Sequence, residues 1–252
     1  MSAMEFIDVN SFIGKSLKVN TFFDDAPGLC AEMKRLGMAK AYVFHSVAQW
    51  SDLAQGNTFL LEQTKGYDQL VPVMVASPLI DQEHGGRQGL INYLKENRIG
   101  AVRLAAGTMV HSLAAWNMKK LFEVLSELRF PCTIDGLDMG PNGYNQLFDL
   151  CHTFPDVPVI LVNPGYRSTR MQYSIWEQCD NFHVDTSLFI ANHEIEDVVK
   201  YFGAEKILYG SRMPYLEPGT FMGRVMYASI SDEDKAKIAA GNIKAMAANI
   251  RL

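Results

Sequence analysis

The 252-residue chain has no apolar run approaching the roughly 18 residues a membrane span needs, so no membrane partner is expected. Its opening, MSAMEFIDVN, has neither a basic segment nor an apolar core of the kind found in signal peptides. Cysteine is scarce and scattered: Cys30, Cys132, Cys151 and Cys179 form no CxxC pair, which argues against a zinc knuckle or a redox dithiol. Free thiols of this kind suit a reducing, cytoplasmic location. Basic blocks are also missing. With 23 Lys and Arg against 28 Asp and Glu, the net charge is −5, which offers nucleic acid no footprint. There is no G-x-S-x-G nucleophile elbow, no phosphate-binding P-loop, no low-complexity segment and no linker.

What is present is alternation. Eight β-like runs recur along the chain: 6–9, 41–44, 70–75, 100–104, 131–134, 157–162, 182–185 and 206–209. Helical periodicity falls between them, at 27–36, 52–65, 87–97, 117–129, 143–153, 170–179 and 194–202. A last helix is expected from about 231 to 250, opening on the capping signal Ser231-Asp-Glu-Asp234. Runs such as VPVMVA and VPVILV are apolar at consecutive positions, as in strands buried on both faces of a parallel sheet. Eight strand–helix units in this length predict an α/β fold, a single (β/α)8 TIM barrel over residues 1–252. The alternative is an open doubly wound sheet. That fold usually carries a glycine-rich turn after its first strand, and IDVNSFIGKS is not one.

A barrel keeps its chemistry at the C-terminal strand ends. There the sequence offers Asp8, Asn10 and Phe12, then His45, Arg103, Asp135, Asn163, Asp185 with Ser187, and Ser211 with Arg212. His45 is the only histidine at such an end and is a candidate general base. Arg167 and Arg170, in the loop GYRSTR, extend the cationic rim. Trp50, Tyr166 and Tyr215 lie just beyond strand ends and are candidate walls.

FIDVNSFIG resembles the D-x-H-x-H-x-G opening strand of the amidohydrolase superfamily. KILYGSRMP resembles its G-S-D-x-P eighth-strand segment, VPVILVNPG its sixth strand, and AAGNIKAM the G-N-A segment of its last helix. The chain is thereby identified as similar to the amidohydrolase-related branch, which includes decarboxylases of the aminocarboxymuconate semialdehyde type and sugar or dicarboxylate lactonases. In that family the corresponding positions hold a divalent metal. Here the resemblance places Asn10 and Phe12 where two histidines stand, Asp135 and Asn163 at two further histidines, and Arg212 at the aspartate. Amides, a phenyl ring and a guanidinium make poor metal ligands, so no cofactor is expected.

Three readings follow. The first is a metal-independent hydrolase, lactone- or ester-like, acting on a small anionic molecule. In it Arg212 and Arg103 hold and polarise the substrate, and Asp135, Asp185 or His45 moves the proton. Asn10, Asn163, Arg167 and Tyr166 line the site. The second is a binding protein that kept the barrel and lost the chemistry. The third builds a non-standard magnesium or manganese site from Asp8, Asp135 and Asp185. Association into a homo-oligomer is expected only from what such barrels often do.

Overall fold

Strands in which every position is apolar can be buried only if both faces are covered, and a closed barrel does that. In the computed structural model, which describes residues 4–17, 20–165 and 167–252, eight parallel strands run in the order of the sequence. They are β1 (Ile7–Ile13), β2 (Lys40–His45), β3 (Leu70–Val75), β4 (Ala101–Leu104), β5 (Cys132–Asp135), β6 (Val159–Val162), β7 (Phe182–Asp185) and β8 (Ile207–Leu208). Hydrogen bonds from Val9 N to Tyr209 O and from Phe12 N to Met213 O draw the eighth strand segment back onto the first. The architecture is a (β/α)8 TIM barrel, as the alternation predicts.

Residue parity sorts the core into two shells. Val73 and Val75 of β3, Ile160 and Val162 of β6, and Leu208 of β8 fill the barrel interior with Ile7, Phe12, Tyr42 and Phe44. Their neighbours Met74, Leu161 and Ile207 face outward into the larger layer beneath the helices.

The helices are α1 (Ala26–Leu36), α2 (Ser46–Trp50), α3 (Leu53–Thr64), α4 (Ile80–His84), α5 (Arg87–Glu96) and α6 (Ala115–Leu128). They continue with α7 (Gly143–Thr153), α8 (Thr169–Trp176), α9 (Glu194–Phe202), α10 (Pro218–Tyr227), α11 (Asp232–Ala236) and α12 (Asn242–Ala248). Side-chain caps fix some of these starts: Asp25 accepts from Gly28 N, Asp52 from Gln55 N, and Ser231 from Asp234 N.

Three departures from the expected layout bear on function. β1 carries a bulge between Asp8 and Ser11, so the simple alternation of Asp8, Asn10 and Phe12 on one face does not hold. The expected last helix is continuous but carries a π-helical turn at Lys237–Gly241 between α11 and α12. Its carbonyl at Ile238 accepts from Tyr209 N, and Ala240, Ile243 and Met246 close the bottom of the interior. Finally, the short α2 places Gln49 beside the barrel mouth. Among the described residues, no helix is long and apolar enough to cross a membrane.

Candidate functional site at the barrel mouth

The inward side chains at the ends of β1, β4, β5, β6 and β7 meet in one buried polar centre. Arg103 is its hub and is 2% exposed. Its Nη2 donates to Asp135 Oδ2 at 2.7 Å, its Nε to Gln49 Oε1 at 2.7 Å, and its Nη1 reaches Asn10 Oδ1 at 3.5 Å. Its guanidinium also lies 4.2 Å from the centre of the Phe44 ring. Asp135 Oδ2 accepts in addition from Asn163 Nδ2 at 3.0 Å, and Oδ1 accepts from Leu137 N at 3.1 Å. Both charges are thus paired and hydrogen-bonded, which is the condition for burying them. Burial pulls the Arg103 guanidinium down from its ordinary value, and the facing Asp135 carboxylate opposes that.

A second knot lies beside the first. Asn10 Nδ2 donates to Asp185 Oδ2 at 2.8 Å and Asn163 Oδ1 at 2.9 Å, and lies 3.1 Å from Ser187 Oγ. Asn163 N donates to Asp185 Oδ1 at 3.1 Å. Residue 210 has to be glycine here, because a Cβ would stand 2.4 Å from Asp185 Oδ2. Complete burial pushes the Asp185 carboxyl up to about 7, partly offset by the Ser187 and Asn10 hydrogen bonds and reinforced by the Asp8 charge. Asp8 belongs to a separate cluster, held by the Ser211 hydroxyl and amide and by Ser11 Oγ, and burial raises its pKa as well.

Arg212 differs from Arg103. Its guanidinium lies on the Tyr215 ring, 4.3 Å from the centroid, and pairs with no carboxylate among the described residues. It is half-buried, and its charge is close enough to disfavour that of Arg103. Its backbone is left-handed at φ 61°, an uncommon conformation for a long side chain, and Asn163 shares it at φ 51°. Around these groups stand Phe12, Phe44 and Trp50, with ring centroids 5.3–6.4 Å apart. Trp50, Met109 and Tyr215 are only partly buried against this cluster.

The structure therefore gathers Asn10, Arg103, Asp135, Asn163 and Asp185, with Arg212 nearby. It places His45 elsewhere. His45 caps α2, its Nδ1 accepting from Val47 N at 3.2 Å, and its Nε2 contacts Gln63 at 3.2 Å. It lines a different pocket with Gly14, Asp25, Phe59 and Tyr67, outside the ion-paired centre. Burial lowers its pKa. Arg167 and Arg170 are exposed, and Tyr166 lies outside the described residues. Gln49, which bridges Arg103 and Asp135, went unnoticed in the sequence; a glutamine in a five-residue helix carries no periodic signal.

The divalent metal implied by the resemblance does not fit these residues. Asn10 and Asn163 point their amides at neighbouring carboxylates, Phe12 has no donor atom, and the Asp135 carboxylate is paired with a guanidinium. Asp8, Asp135 and Asp185 do not converge, and no group of three His, Cys, Asp or Glu side chains among the described residues is placed to hold a metal ion.

Comparison with known proteins agrees with the architecture. No curated protein sequence matches the chain. Among solved structures, a 2,6-dihydroxybenzoate decarboxylase from Rhizobium superposes with TM-score 0.79 at 12% identity, covering 98% of this chain and 99% of that one. A dihydroxybenzoic acid decarboxylase from Polaromonas sp. JS666, with bound manganese and the inhibitor 2-nitroresorcinol, gives 0.80 at 14% identity over 99% and 98%. A 5-carboxyvanillate decarboxylase from Sphingomonas paucimobilis gives 0.76 at 11% identity over 99% and 100%. A family model described as amidohydrolase matches residues 38–246. By that match, and with the strand-end segments in their places around the barrel, the chain belongs to the amidohydrolase family.

Proposed function

We propose that the barrel mouth binds a small aromatic carboxylate, and that the family's metal-dependent chemistry is absent. The observation that carries this reading is the contrast between two arginines. Arg103 is paired with Asp135, whereas Arg212 is half-buried, lies over the Tyr215 ring and has no carboxylate partner among the described residues. A guanidinium held in this way presents a fork of donors suited to a carboxylate. The neighbouring Phe12, Phe44 and Trp50 rings supply an apolar wall for a ring-bearing ligand. The similar decarboxylases act on hydroxybenzoates, in keeping with that ligand class. A metal-free hydrolase is less well supported. It needs a base open to substrate, but Asp185 is wholly buried, Asp135 is paired and His45 lies in another pocket.

The test is calorimetric titration with benzoate, 2,6-dihydroxybenzoate and uncharged benzamide. Saturable binding of the acids is expected, weakened roughly 10- to 100-fold in Arg212→Gln, the usual effect of losing a charge-assisted hydrogen bond. Equal binding of benzamide, or undiminished binding in the variant, would refute the assignment.

A second reading, a decarboxylase with a carboxylate-held metal, draws on the manganese-containing relative. Its test is the metal content of protein purified without chelators. Substoichiometric metal is expected, and a full equivalent would favour this reading over the first.

A further inference from the structure

A cavity of about 340 Å³ opens at the other end of the barrel, where β6, β7 and β8 begin. Its polar lining, which includes Arg129 and Asn249 at the rim, also holds three hydrogen-bond acceptors whose orientation is fixed. His183 Nδ1 lies 2.9 Å from the Glu205 carbonyl oxygen. A carbonyl only accepts, so Nδ1 carries the proton and Nε2 is left as a lone pair. Asn181 Nδ2 donates to the carbonyls of Cys151, Phe154 and Val157 at 3.0–3.1 Å. Asn242 Nδ2 donates to those of Ala204 and Ile207, both at 2.8 Å. These bonds set both amides, so each Oδ1 is an acceptor. Nothing among the described residues donates to either Oδ1 or to His183 Nε2, and none of the three is sealed from solvent.

Pro155, Pro158 and Met246 add apolar wall, and the carboxylates of Glu205 and Asp156 stand on the lining. One cation, Arg129, stands on the lining and another, Lys206, lies close by, and each faces a carboxylate. Arg129 pairs with Asp156 at 3.5 Å, and Lys206 Nζ donates to the Asp180 carbonyl at 2.9 Å and lies 3.5 Å from its carboxylate.

We propose that this cavity is a second binding site, for the ammonium group of a small alkylamine. An ammonium has three N–H donors and no acceptor, which suits a pocket that offers fixed acceptors beside apolar wall and carboxylates. An anion would meet these lone pairs and two carboxylates, against a single lining cation, Arg129, that Asp156 already faces. Burial holds the His183 imidazole at about 4, so the acceptor is available at neutral pH.

The test is an NMR titration of the histidine ring nitrogens of the full chain with n-butylammonium, using tetramethylammonium and butyrate as controls. The expected result is a saturable shift of His183 Nε2 with n-butylammonium alone. Ala245→Trp, at an exposed lining position, fills the cavity and is expected to abolish the response without disturbing the core. His183→Phe removes one acceptor and is expected to weaken binding about tenfold or more. The exposed Glu205→Gln keeps the fold in any case and is expected to weaken binding a few-fold. No saturable shift, an equal response to tetramethylammonium or butyrate, or undiminished binding in Ala245→Trp would overturn the proposal.

Discussion

Replacing Arg103 by methionine is the sharpest perturbation of the mouth. The substitution keeps an unbranched apolar stem but deletes the guanidinium that faces Asp135 at 2.7 Å and Gln49 at 2.7 Å. Asp135 is 6% exposed and would keep only neutral donors, chiefly Asn163 Nδ2 and Leu137 N. Breaking a buried pair from one side costs about 3–5 kcal/mol, because the surviving charge stays desolvated. With an unfolding entropy of about 2.1 cal/mol/K per residue over 252 residues, that loss lowers Tm by about 6–9 °C. Removing the second charge as well, in Arg103→Met/Asp135→Asn, should recover at least ~2 kcal/mol relative to the sum of the single variants. Differential scanning calorimetry of the four proteins closes the cycle. A fall below ~2 °C in Arg103→Met, or strictly additive losses in the double variant, would refute the claim that this pair neutralises the centre.

Asp185 makes stability pH-dependent. Its carboxyl is raised from 3.8 to about 7 in the folded state, so the native protein binds the extra proton across that interval. The contribution is complete below the unfolded value and is lost as pH rises toward 7. Urea unfolding should therefore show native protein losing ground to Asp185→Asn by up to ~1.4 kcal/mol per pH unit between pH 5 and 7, and a flat difference would contradict it. Thiol titration should find Cys30 the most reactive, while Cys132 and Cys151, buried and with raised pKa, stay silent until urea unfolds the chain. Gly56→Ala would usually help a helix, yet its Cβ would stand 1.9 Å from Ala48 N; a loss of about 1–3 kcal/mol in calorimetry is expected, and a gain would show that α2 and α3 are less tightly apposed.

The barrel was legible because double burial leaves a plain mark. β3 and β7 fall on the residues expected from their apolar runs, and α7 and α9 match their periodic segments. What escaped notice was short or irregular. α10 opens with Pro218-Gly219, a pair that reads as a turn until Glu217 is seen to cap it. The β1 bulge adds one residue to a strand whose pattern gives no warning of it. The site was legible as a set of residues but not as a set of pairs. Arg103, Asp135, Asn10 and Asn163 were recognisable as inward strand ends. That Asp135 is held by Arg103, leaving Arg212 to Tyr215, depends on which donor reaches farther across the interior, and spacing along the chain does not encode that.

The π-helical turn in the C-terminal helix has a consequence for the order of assembly. The π-helical turn supplies the carbonyl that receives Tyr209 N, and Asn242 ties down the carbonyls of Ala204 and Ile207 on either side of the last strand's start. The final strand has only two residues and leans on this segment for its placement. A ribosome delivers β1 well before these residues. Throughout synthesis, the first strand must wait with an unpaired edge, a state that invites pairing between nascent chains. Closing the ring is then a contact between opposite ends of the sequence, which predisposes this barrel to slow folding.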